Sequence, residues 1–398
     1  MIYRARWVLP IGRLPLAGGW VDVRDGRITD LGAGDPPGDA NDLGDVALLP
    51  GLVNAHTHLE LSWMAGLVPP SRSMHEWIHT LLRTRRGGAA GGPDAERAAA
   101  VDAAAALRDT GTALVGDVSN TLMTPDVLAA AGLDGVVFHE LLGFNTIDPA
   151  PIVREAWARA RRVSVPPDRD IRVTVVAHAP YSVSPALFAE IAARADHTPL
   201  SVHVAESPEE MEFLRTGRGP IRRTLEELGG WNPLWQAPGV DPVRYLASVG
   251  YLQPGVLLVH GVHLSDDSLD RVREARGVIV TCPRSNIWVG SGPPRLSHFY
   301  TAGVPVAVGT DSLASTSSLN LFDELREMRR LAPEVSAAQL LESATRRGAE
   351  ALGFGRDYGS IRPGKRAALI TVDLPAGVRD VEEYLVSGVA ARAIRRLA

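Results

Sequence analysis

The sequence predicts an α/β protein, a (β/α)8 TIM barrel with a small β-sandwich domain built from both chain termini. The chain has 398 residues, and a barrel of about 250 residues or more leaves room for one appendage. Apolar runs of strand length alternate with helical stretches, which is typical of a parallel sheet. Ionisable residues follow these runs at their carboxyl ends. The predicted barrel covers residues 49–357, and the small domain covers residues 1–48 and 358–398.

The two ends of the chain carry the pattern of the small domain. Residues 20–24 and 27–31 flank Asp25-Gly26, a strong two-residue hairpin turn. Near the other end, Pro363-Gly364 forms a turn before an apolar stretch that reaches residue 372. Neither piece is large enough to bury a core alone, so we expect the two to pair with each other.

Eight apolar runs of strand length divide the middle of the chain. The first begins at Leu48, and the others lie at 112–116, 135–138, 172–176, 200–202, 256–259, 278–280 and 304–308. Helical stretches between them lie at 98–107, 186–194, 268–275 and 319–331. We expect residues 61–86 to form a long loop over the pocket. Residues 85–93, rich in Gly and Ala, are expected to be a flexible loop.

Histidines and acidic residues collect where the predicted strands end, and seven of the 11 histidines do so. The residues at these ends are His56, His58, Asp117, His139, Glu140, His178, His203, Glu206, His260, His263, Cys282 and Asp311. In a (β/α)8 barrel such ends converge on one face, where the active site lies. Because side chains alternate along a strand, His56 and His58 are expected to point to the same side.

Four of these residues are expected to hold one divalent metal ion. The predicted ligands are His56, His58, His203 and Asp311, from predicted strands 1, 5 and 8. Zn²⁺ suits this set of N and O donors, with Fe²⁺ and Mn²⁺ as alternatives, and it would bring the pKa of its water to about 7. Glu206 and His260 are the expected proton carriers. A structural ion pair or a buried core histidine is the alternative for each of them.

Composition excludes several classes of protein. The only cysteine is Cys282 and the only lysine is Lys365, which excludes an intrachain disulfide and a barrel lysine that forms a Schiff base or bridges two metals. A single cysteine also excludes the P-C-x-x-C motif of the zinc nucleobase deaminases. The net charge is −5 without a basic run, so we expect no nucleic-acid partner. No apolar run has the length of a membrane span or signal peptide, so we expect a cytoplasmic protein. Homo-oligomerisation stays open.

Seven stretches together resemble the amidohydrolase superfamily, in its branch of mononuclear metal-dependent deaminases. They are P-G-L-V-N-A-H-T-H-L-E (50–60), H-A-P-Y-S-V-S (178–184), H-V-A-E-S (203–207), V-H-G-V-H-L-S (259–265), C-P-R-S-N (282–286), G-T-D-S-L-A-S (309–315) and G-S-I-R-P-G-K-R-A-A-L (359–369). The resemblance implies the same four ligands and one metal ion. It implies that Glu206 protonates the ring nitrogen beside the attacked carbon, that His260 orients the water and that Asp311 accepts a proton from it.

The substrate is expected to be an aminated purine nucleoside. Within the branch, the motifs most resemble the aminodeoxyfutalosine deaminases of menaquinone biosynthesis, whose substrate is an adenine nucleoside with a benzoate on its 5′ side. The expected substrate contacts are His178, Trp77, Ser285 and Arg284, the last holding an anionic group at the pocket mouth unless it forms a surface salt bridge. Adenosine, methylthioadenosine, guanine and cytosine deaminases, s-triazine chlorohydrolases and a non-catalytic metal-binding barrel are the alternatives.

Overall fold

The structure, a computed structural model, describes residues 1–196 and 198–397. The N-terminal part forms short strands before the chain reaches the middle region. These strands are β1 (Ile2–Arg4), β2 (Trp7–Val8), β3 (Leu16–Ala17), β4 (Gly19–Arg24), β5 (Arg27–Ala33), β6 (Ala40–Asp42) and β7 (Val46–Pro50). The predicted hairpin is present, since β4 and β5 pair antiparallel on either side of Asp25-Gly26.

Eight strands in the middle of the chain lie in two parallel sheets. They are β8 (Leu52–Thr57), β9 (Thr112–Ser119), β10 (Asp134–Leu141), β11 (Ile171–Ala177), β12 (Ser201–Val204), β13 (Leu257–His260), β14 (Val278–Thr281) and β15 (Val306–Val308). One sheet has the order β11-β10-β9-β8 and the other the order β12-β13-β14-β15. The α/β class with parallel strands is thereby confirmed.

The two ends of the chain share a sheet. The strands β16 (Leu369–Asp373) and β17 (Ile394–Arg396) pair antiparallel, and β16 also pairs antiparallel with β7. This gives a sheet of order β17-β16-β7-β2-β3 beside a sheet of order β5-β4-β1-β6. Val8 and Leu48 from the first sheet and Val21 and Ile28 from the second belong to one buried apolar cluster. The expected pairing of the termini is therefore present.

The first predicted strand is two strands in the structure. β7 ends at Pro50 and pairs with β16, whereas β8 begins at Leu52 and pairs with β9. Gly51 joins them where the chain passes closest to its neighbour, because a Cβ at this position would lie 2.5 Å from the Cβ of Ala113. The expectation of one strand from Leu48 was wrong. A continuous apolar run does not show where the chain leaves one sheet and enters another.

Fifteen α-helices surround or connect these strands in the described part of the chain. They are α1 (Met74–Gly87), α2 (Gly92–Asp109), α3 (Thr124–Ala130), α4 (Ala150–Arg162), α5 (Pro185–Ala193), α6 (Pro208–Thr216), α7 (Pro220–Glu227), α8 (Pro242–Ser248), α9 (Asp266–Glu274), α10 (Pro283–Trp288), α11 (Leu296–Thr301), α12 (Leu321–Leu331), α13 (Ala337–Ser343), α14 (Arg346–Ala351) and α15 (Val381–Val386). Two 3-10 helices lie at Leu59–Met64 and Ala391–Ala393. Among the helices of residues 1–196 and 198–397, none has the length and apolar character of a membrane span.

Much of the segment expected to be a loop over the pocket is helical. Within residues 61–86, α1 begins after Ser73, whose Oγ accepts a hydrogen bond of 3.3 Å from the Glu76 N–H. Its first turns bury Met74 and Trp77. The cap and this apolar contact stabilise a helix where a long loop after the first barrel strand was expected. Of residues 85–93, which were expected to form a flexible loop, only residues 88–91 lie outside α1 and α2.

Both faces of the parallel strands are buried. In β13, Leu257 and Val259 belong to one apolar cluster and Leu258 to another, as the alternation of side chains along a strand requires. The cluster that contains Leu257 also takes Val53 from β8 and Val136 from β10, so both parallel sheets contribute to it. Strands buried on two faces leave only their ends for polar chemistry.

Candidate active site

A cavity of about 370 Å³ opens at the carboxyl ends of the parallel strands. Its polar floor consists of residues in the last positions of β8, β11, β12, β13 and β15 or just after them, namely His58, His178, His203, Glu206, His260 and Asp311. Its walls are largely apolar and come from α1 and from residues 221–230, which include most of α7. The structure thus gathers the predicted strand-end residues around one space.

Three imidazoles meet at the cavity floor through their Nε2 atoms. The His58 Nε2 lies 3.2 Å from the His56 Nε2 and 3.3 Å from the His203 Nε2. Asp311 Oδ1 lies 3.6 Å from the His58 Nε2 and 3.9 Å from the His56 Nε2. Burial, followed by the neighbouring imidazoles, lowers the pKa of His56 well below its ordinary value, so that this ring is neutral.

This donor set fits one metal ion. Two imidazole nitrogens on a tetrahedral zinc ion lie about 3.3 Å apart, since zinc–nitrogen bonds are about 2.0–2.1 Å long. The nitrogen–nitrogen distances of 3.2 and 3.3 Å match that spacing. Neutral imidazoles are also the form that binds metal. The predicted ligands His56, His58, His203 and Asp311 therefore lie together, and their role as ligands stays a prediction.

Backbone contacts fix the position of His56 relative to Asp311. The His56 carbonyl oxygen accepts hydrogen bonds from the N–H groups of Thr310 and Asp311, at 3.0 and 3.1 Å. Gly309 permits this approach, because a Cβ there would lie 2.7 Å from the Cβ of His56. The end of β15 and the end of β8 are thereby held as one unit.

Groups on the Nδ1 side of the His203 ring fix its orientation. Its Nδ1 donates to the His178 carbonyl oxygen at 2.9 Å and lies 3.5 Å from Glu140 Oε1. A proton on Nδ1 leaves the Nε2 lone pair directed at the other two imidazoles. Glu140, His178 and His203 also lie close enough for a second metal site. The hydrogen bond from Nδ1 to the carbonyl disfavours a second ion there, in keeping with the single metal ion expected.

Two hydroxyl groups hold Asp311. Ser285 Oγ donates to Asp311 Oδ2 at 2.6 Å and Ser315 Oγ donates to the same oxygen at 3.0 Å. Burial raises the pKa of Asp311, but His58, His260 and the Ser285 hydrogen bond outweigh it and the pKa lies below its ordinary value. The carboxylate is therefore ionised, with Oδ1 free to face the imidazoles. Ser285, expected to contact substrate, does not line the cavity and lies behind Asp311 instead.

Glu206 and His260, the expected proton carriers, lie beside each other at the floor. Glu206 Oε2 lies 3.6 Å from the His260 Nε2. Burial, followed by the nearby carboxylates of Asp311 and Glu210, raises the pKa of Glu206 well above its ordinary value, which favours the protonated form of this side chain. Burial lowers the pKa of His260 to about 3, so its ring is neutral. Asn286 Nδ2 donates to the His260 Nδ1 at 2.9 Å, which places the ring proton on Nε2.

Backbone strain accompanies these positions. Ala205, His260 and Asp311 have φ angles of 49°, 74° and 59°, in the left-handed region that residues with side chains rarely adopt. Each lies in the sharp turn that follows a parallel strand. Such strain is found at functional sites, where the surrounding structure holds it.

Of the other three predicted substrate contacts, two line the cavity and one does not. His178 and Trp77 line the cavity, and the Trp77 Nε1 donates to the Ala314 carbonyl oxygen at 3.4 Å. Arg284 does not line the cavity. Its guanidinium donates to Ser317 Oγ at 2.9 Å and to the Ser318 carbonyl at 3.1 Å, and it lies 3.5 Å from buried Glu324. The expectation that Arg284 faces the mouth is thus corrected, because residues of the chain already satisfy its charge.

Several residues at the site were missed from sequence. Glu60 lines the cavity and accepts hydrogen bonds from the Asn120 and Thr121 N–H groups at 3.0 and 2.9 Å. Asn286 supports His260, and Arg85 lines the wall. The position of Glu60, two residues after the H-T-H triplet, was the available indication. The others depend on long-range pairing that the sequence does not display.

Known proteins resemble the chain over most of its length. The profile of the amidohydrolase family matches residues 47–394. Aminodeoxyfutalosine deaminase of Deinococcus radiodurans is 33% identical over 342 residues, covering 80% of this chain and 76% of that protein. The 5-methylthioadenosine/S-adenosylhomocysteine deaminase of Halobacterium salinarum is 30% identical over 368 residues, covering 89% of this chain and 80% of that protein. The crystal structure of Helicobacter pylori aminofutalosine deaminase in complex with methylthio-coformycin has a TM-score of 0.85 and 25% identity, covering 100% of both chains.

The family profile extends from β7 to β17 and so spans all eight parallel strands and the cavity floor. The resemblance inferred from the sequence motifs is confirmed. The chain is a hydrolase acting on C–N bonds and belongs to the amidohydrolase family.

Proposed function

We propose that this enzyme is a metal-dependent deaminase that releases ammonia from an adenine nucleoside, with 6-amino-6-deoxyfutalosine of menaquinone biosynthesis as the favoured substrate. The cavity floor carries the proposal, because three imidazoles and a carboxylate meet there beside Glu206, whose protonated form is favoured by burial. The relatives named above support the nucleoside class, since each is a deaminase named for such a substrate. The choice among nucleosides rests on the identity of 33% to the Deinococcus protein.

We also infer that the two parallel sheets close into one eight-stranded barrel. The His203 N–H donates to the His178 carbonyl at 2.9 Å, which joins β12 to the residue after β11. The Thr310 N–H joins the other two edges through the His56 carbonyl. The apolar cluster shared by both sheets would then be the barrel interior. The common core of the two terminal sheets supports a β-sandwich domain over residues 1–48 and 358–398.

His56, His58, His203 and Asp311 would hold the metal ion, and we propose zinc because the donors are three nitrogens and one oxygen. When bound, a divalent ion supplies a water molecule whose pKa is lowered toward neutrality. Asp311 Oδ1 and the Nε2–H of neutral His260 both face the floor and would orient that water.

The side chains of the floor would carry the protons of the reaction. Glu206 donates its proton to the ring nitrogen next to the amino-bearing carbon as the water oxygen adds to that carbon. Asp311 takes one water proton and passes it to the amino group, which leaves as ammonia. The remaining hydroxyl proton returns to Glu206 as the ring carbonyl forms. His178 at the floor and Trp77 on the wall would contact the purine or the sugar.

Replacing Asn286 with leucine should lower kcat about tenfold to a hundredfold without loss of metal. Asn286 holds the His260 proton on Nε2 through its hydrogen bond to Nδ1, and leucine removes this constraint. Asn286→Asp, which accepts from Nδ1 and moves the ring proton there, should lower kcat as well. Steady-state kinetics with metal analysis checks this prediction, and a kcat that stays at the wild-type value in both variants would contradict it.

The substrate is tested by ammonia release from a panel of candidates. The panel contains 6-amino-6-deoxyfutalosine, adenosine, methylthioadenosine, guanine, cytosine and an s-triazine, offered to the zinc-loaded enzyme. We expect kcat/KM for 6-amino-6-deoxyfutalosine to exceed the others by at least about tenfold. A maximum at methylthioadenosine would keep the nucleoside class and overturn the favoured substrate. Release of chloride from a triazine alone, or no turnover by the metal-loaded protein, would overturn the deaminase.

A further inference from the structure

We propose that Arg85 determines substrate specificity by binding an anionic group at the end of an apolar 5′ substituent of the nucleoside. This inference rests on the proposed deaminase function and concerns the wall of the cavity, whereas the chemistry occurs at its floor. It also replaces Arg284, which the structure directs to Glu324.

One face of α1 forms a wall of the cavity. The α1 residues that line the cavity are Met74, His75, Trp77, Ile78, Leu81, Leu82 and Arg85. Their spacing of three and four residues puts them on one side of the helix. From Trp77 to Leu82 this stripe is apolar, and it ends in the guanidinium of Arg85, about 12 Å along the helix from Trp77. A ligand that lies along it meets apolar surface first and a positive charge last.

The charge of Arg85 is open to a ligand. It is the one lysine or arginine that lines the cavity among the described residues. Its Nη2 donates to Asn120 Oδ1 at 3.5 Å, which is at the limit of a hydrogen bond. In residues 1–196 and 198–397, no carboxylate oxygen lies within the 4.0 Å of a salt bridge from its guanidinium. Arg85 therefore differs from Arg284, whose donors are occupied within the chain.

The distribution of charge in the cavity orients such a ligand. The carboxyl groups that line the cavity belong to Glu60, Glu140, Glu206, Glu209 and Asp311. An anionic substituent would be repelled by the Asp311 carboxylate at the floor and attracted to Arg85, which Asn120 separates from Glu60 and Glu140. The heterocycle would then occupy the floor, the apolar part of the substituent would lie on Trp77 and Leu81, and a carboxylate would meet the guanidinium. Arginine suits this task because its planar donors bind a carboxylate through two hydrogen bonds.

The test uses two nucleosides that differ only in this charge, a 5′-arylthio-5′-deoxyadenosine with and without a carboxylate on the aryl ring. Arg85→Gln should lower kcat/KM for the carboxylate about tenfold, mainly through KM, and leave the neutral compound within about twofold. Arg86→Gln is the matched control, because Arg86 is the next residue of α1 and does not line the cavity. It should change neither value.

Salt gives a second measurement on the same enzymes. Raising the salt concentration from about 50 mM to about 500 mM should reduce the wild-type preference for the carboxylate and leave Arg85→Gln unaffected. Equal losses on both nucleosides, or none on the carboxylate, would overturn the role of Arg85 and leave the deaminase standing. If the wild-type enzyme deaminates neither compound nor any nucleoside of the panel, the proposed function fails and this inference fails with it.

Discussion

Replacing Glu206 with glutamine is expected to lower kcat by about a hundredfold to ten-thousandfold, the range typical of general acid–base catalysis. Glu206 is buried at the floor, and burial raises its pKa well above the ordinary value, which favours the protonated form that a general acid needs. Glutamine keeps the shape of the side chain and its hydrogen-bonding capacity but cannot transfer that proton. The measurement is kcat on the best nucleoside of the panel, together with the metal content of the purified variant.

The metal content separates a proton-transfer role from a structural one. Among the described residues, no imidazole of the Nε2 cluster lies within 4.0 Å of the Glu206 carboxyl oxygens, which lie 3.6 Å from the His260 Nε2. The variant should therefore bind metal like the wild-type enzyme. Glu212→Gln is a suitable control, since Glu212 lies on α6, close to Glu206 in sequence, and does not line the cavity. Turnover by Glu206→Gln at the level of this control would show that another group supplies the proton.

The residues at the floor could be predicted because they sit on a regular frame. In a parallel sheet, the last residues of a strand and those just after it lie at the carboxyl edge whatever the details of packing. His56, His203 and Asp311 needed only this rule, and the two-residue period of a strand placed His58 beside His56. Such positions follow from local pattern and topology, so they survive errors in the exact limits of the strands.

Arg284 and Arg85 show where the same reasoning ends. Arg284 follows β14, as predicted, but it lies in the first turn of α10, and its side chain turns toward Glu324 on α12, 40 residues away. Arg85 lies in a segment whose composition suggested a loop, and only the helix α1 aligns it with Trp77 and Leu81 on one face. The direction of a side chain on a connecting segment depends on the rotation of its helix and on distant partners, which the sequence pattern does not contain.

Replacing His56 with alanine is expected to remove the bound metal and to lower turnover by more than about a thousandfold, since the ion is expected to supply the reactive water. The His56 side chain is fully buried, with its Nε2 3.2 Å from the His58 Nε2, so no other donor can replace it from solvent. A metal that binds only the folded chain also stabilises it. The variant should therefore unfold at a lower temperature than the zinc-loaded wild-type enzyme.

His263→Ala is the control that makes this result specific. His263 follows the same strand, β13, as His260, but its Nε2 contacts the Ser291 carbonyl at 3.1 Å and it does not line the cavity. The control should keep its metal and its turnover.

Chelation should lower the unfolding temperature of the wild-type enzyme and of His263→Ala to the same extent, and should not change that of His56→Ala. A stoichiometric metal in His56→Ala would mean that the cluster of Nε2 atoms is not the metal site. The proposed reaction would then need its activated water from elsewhere, because this cluster is the group of donors that supports the proposal.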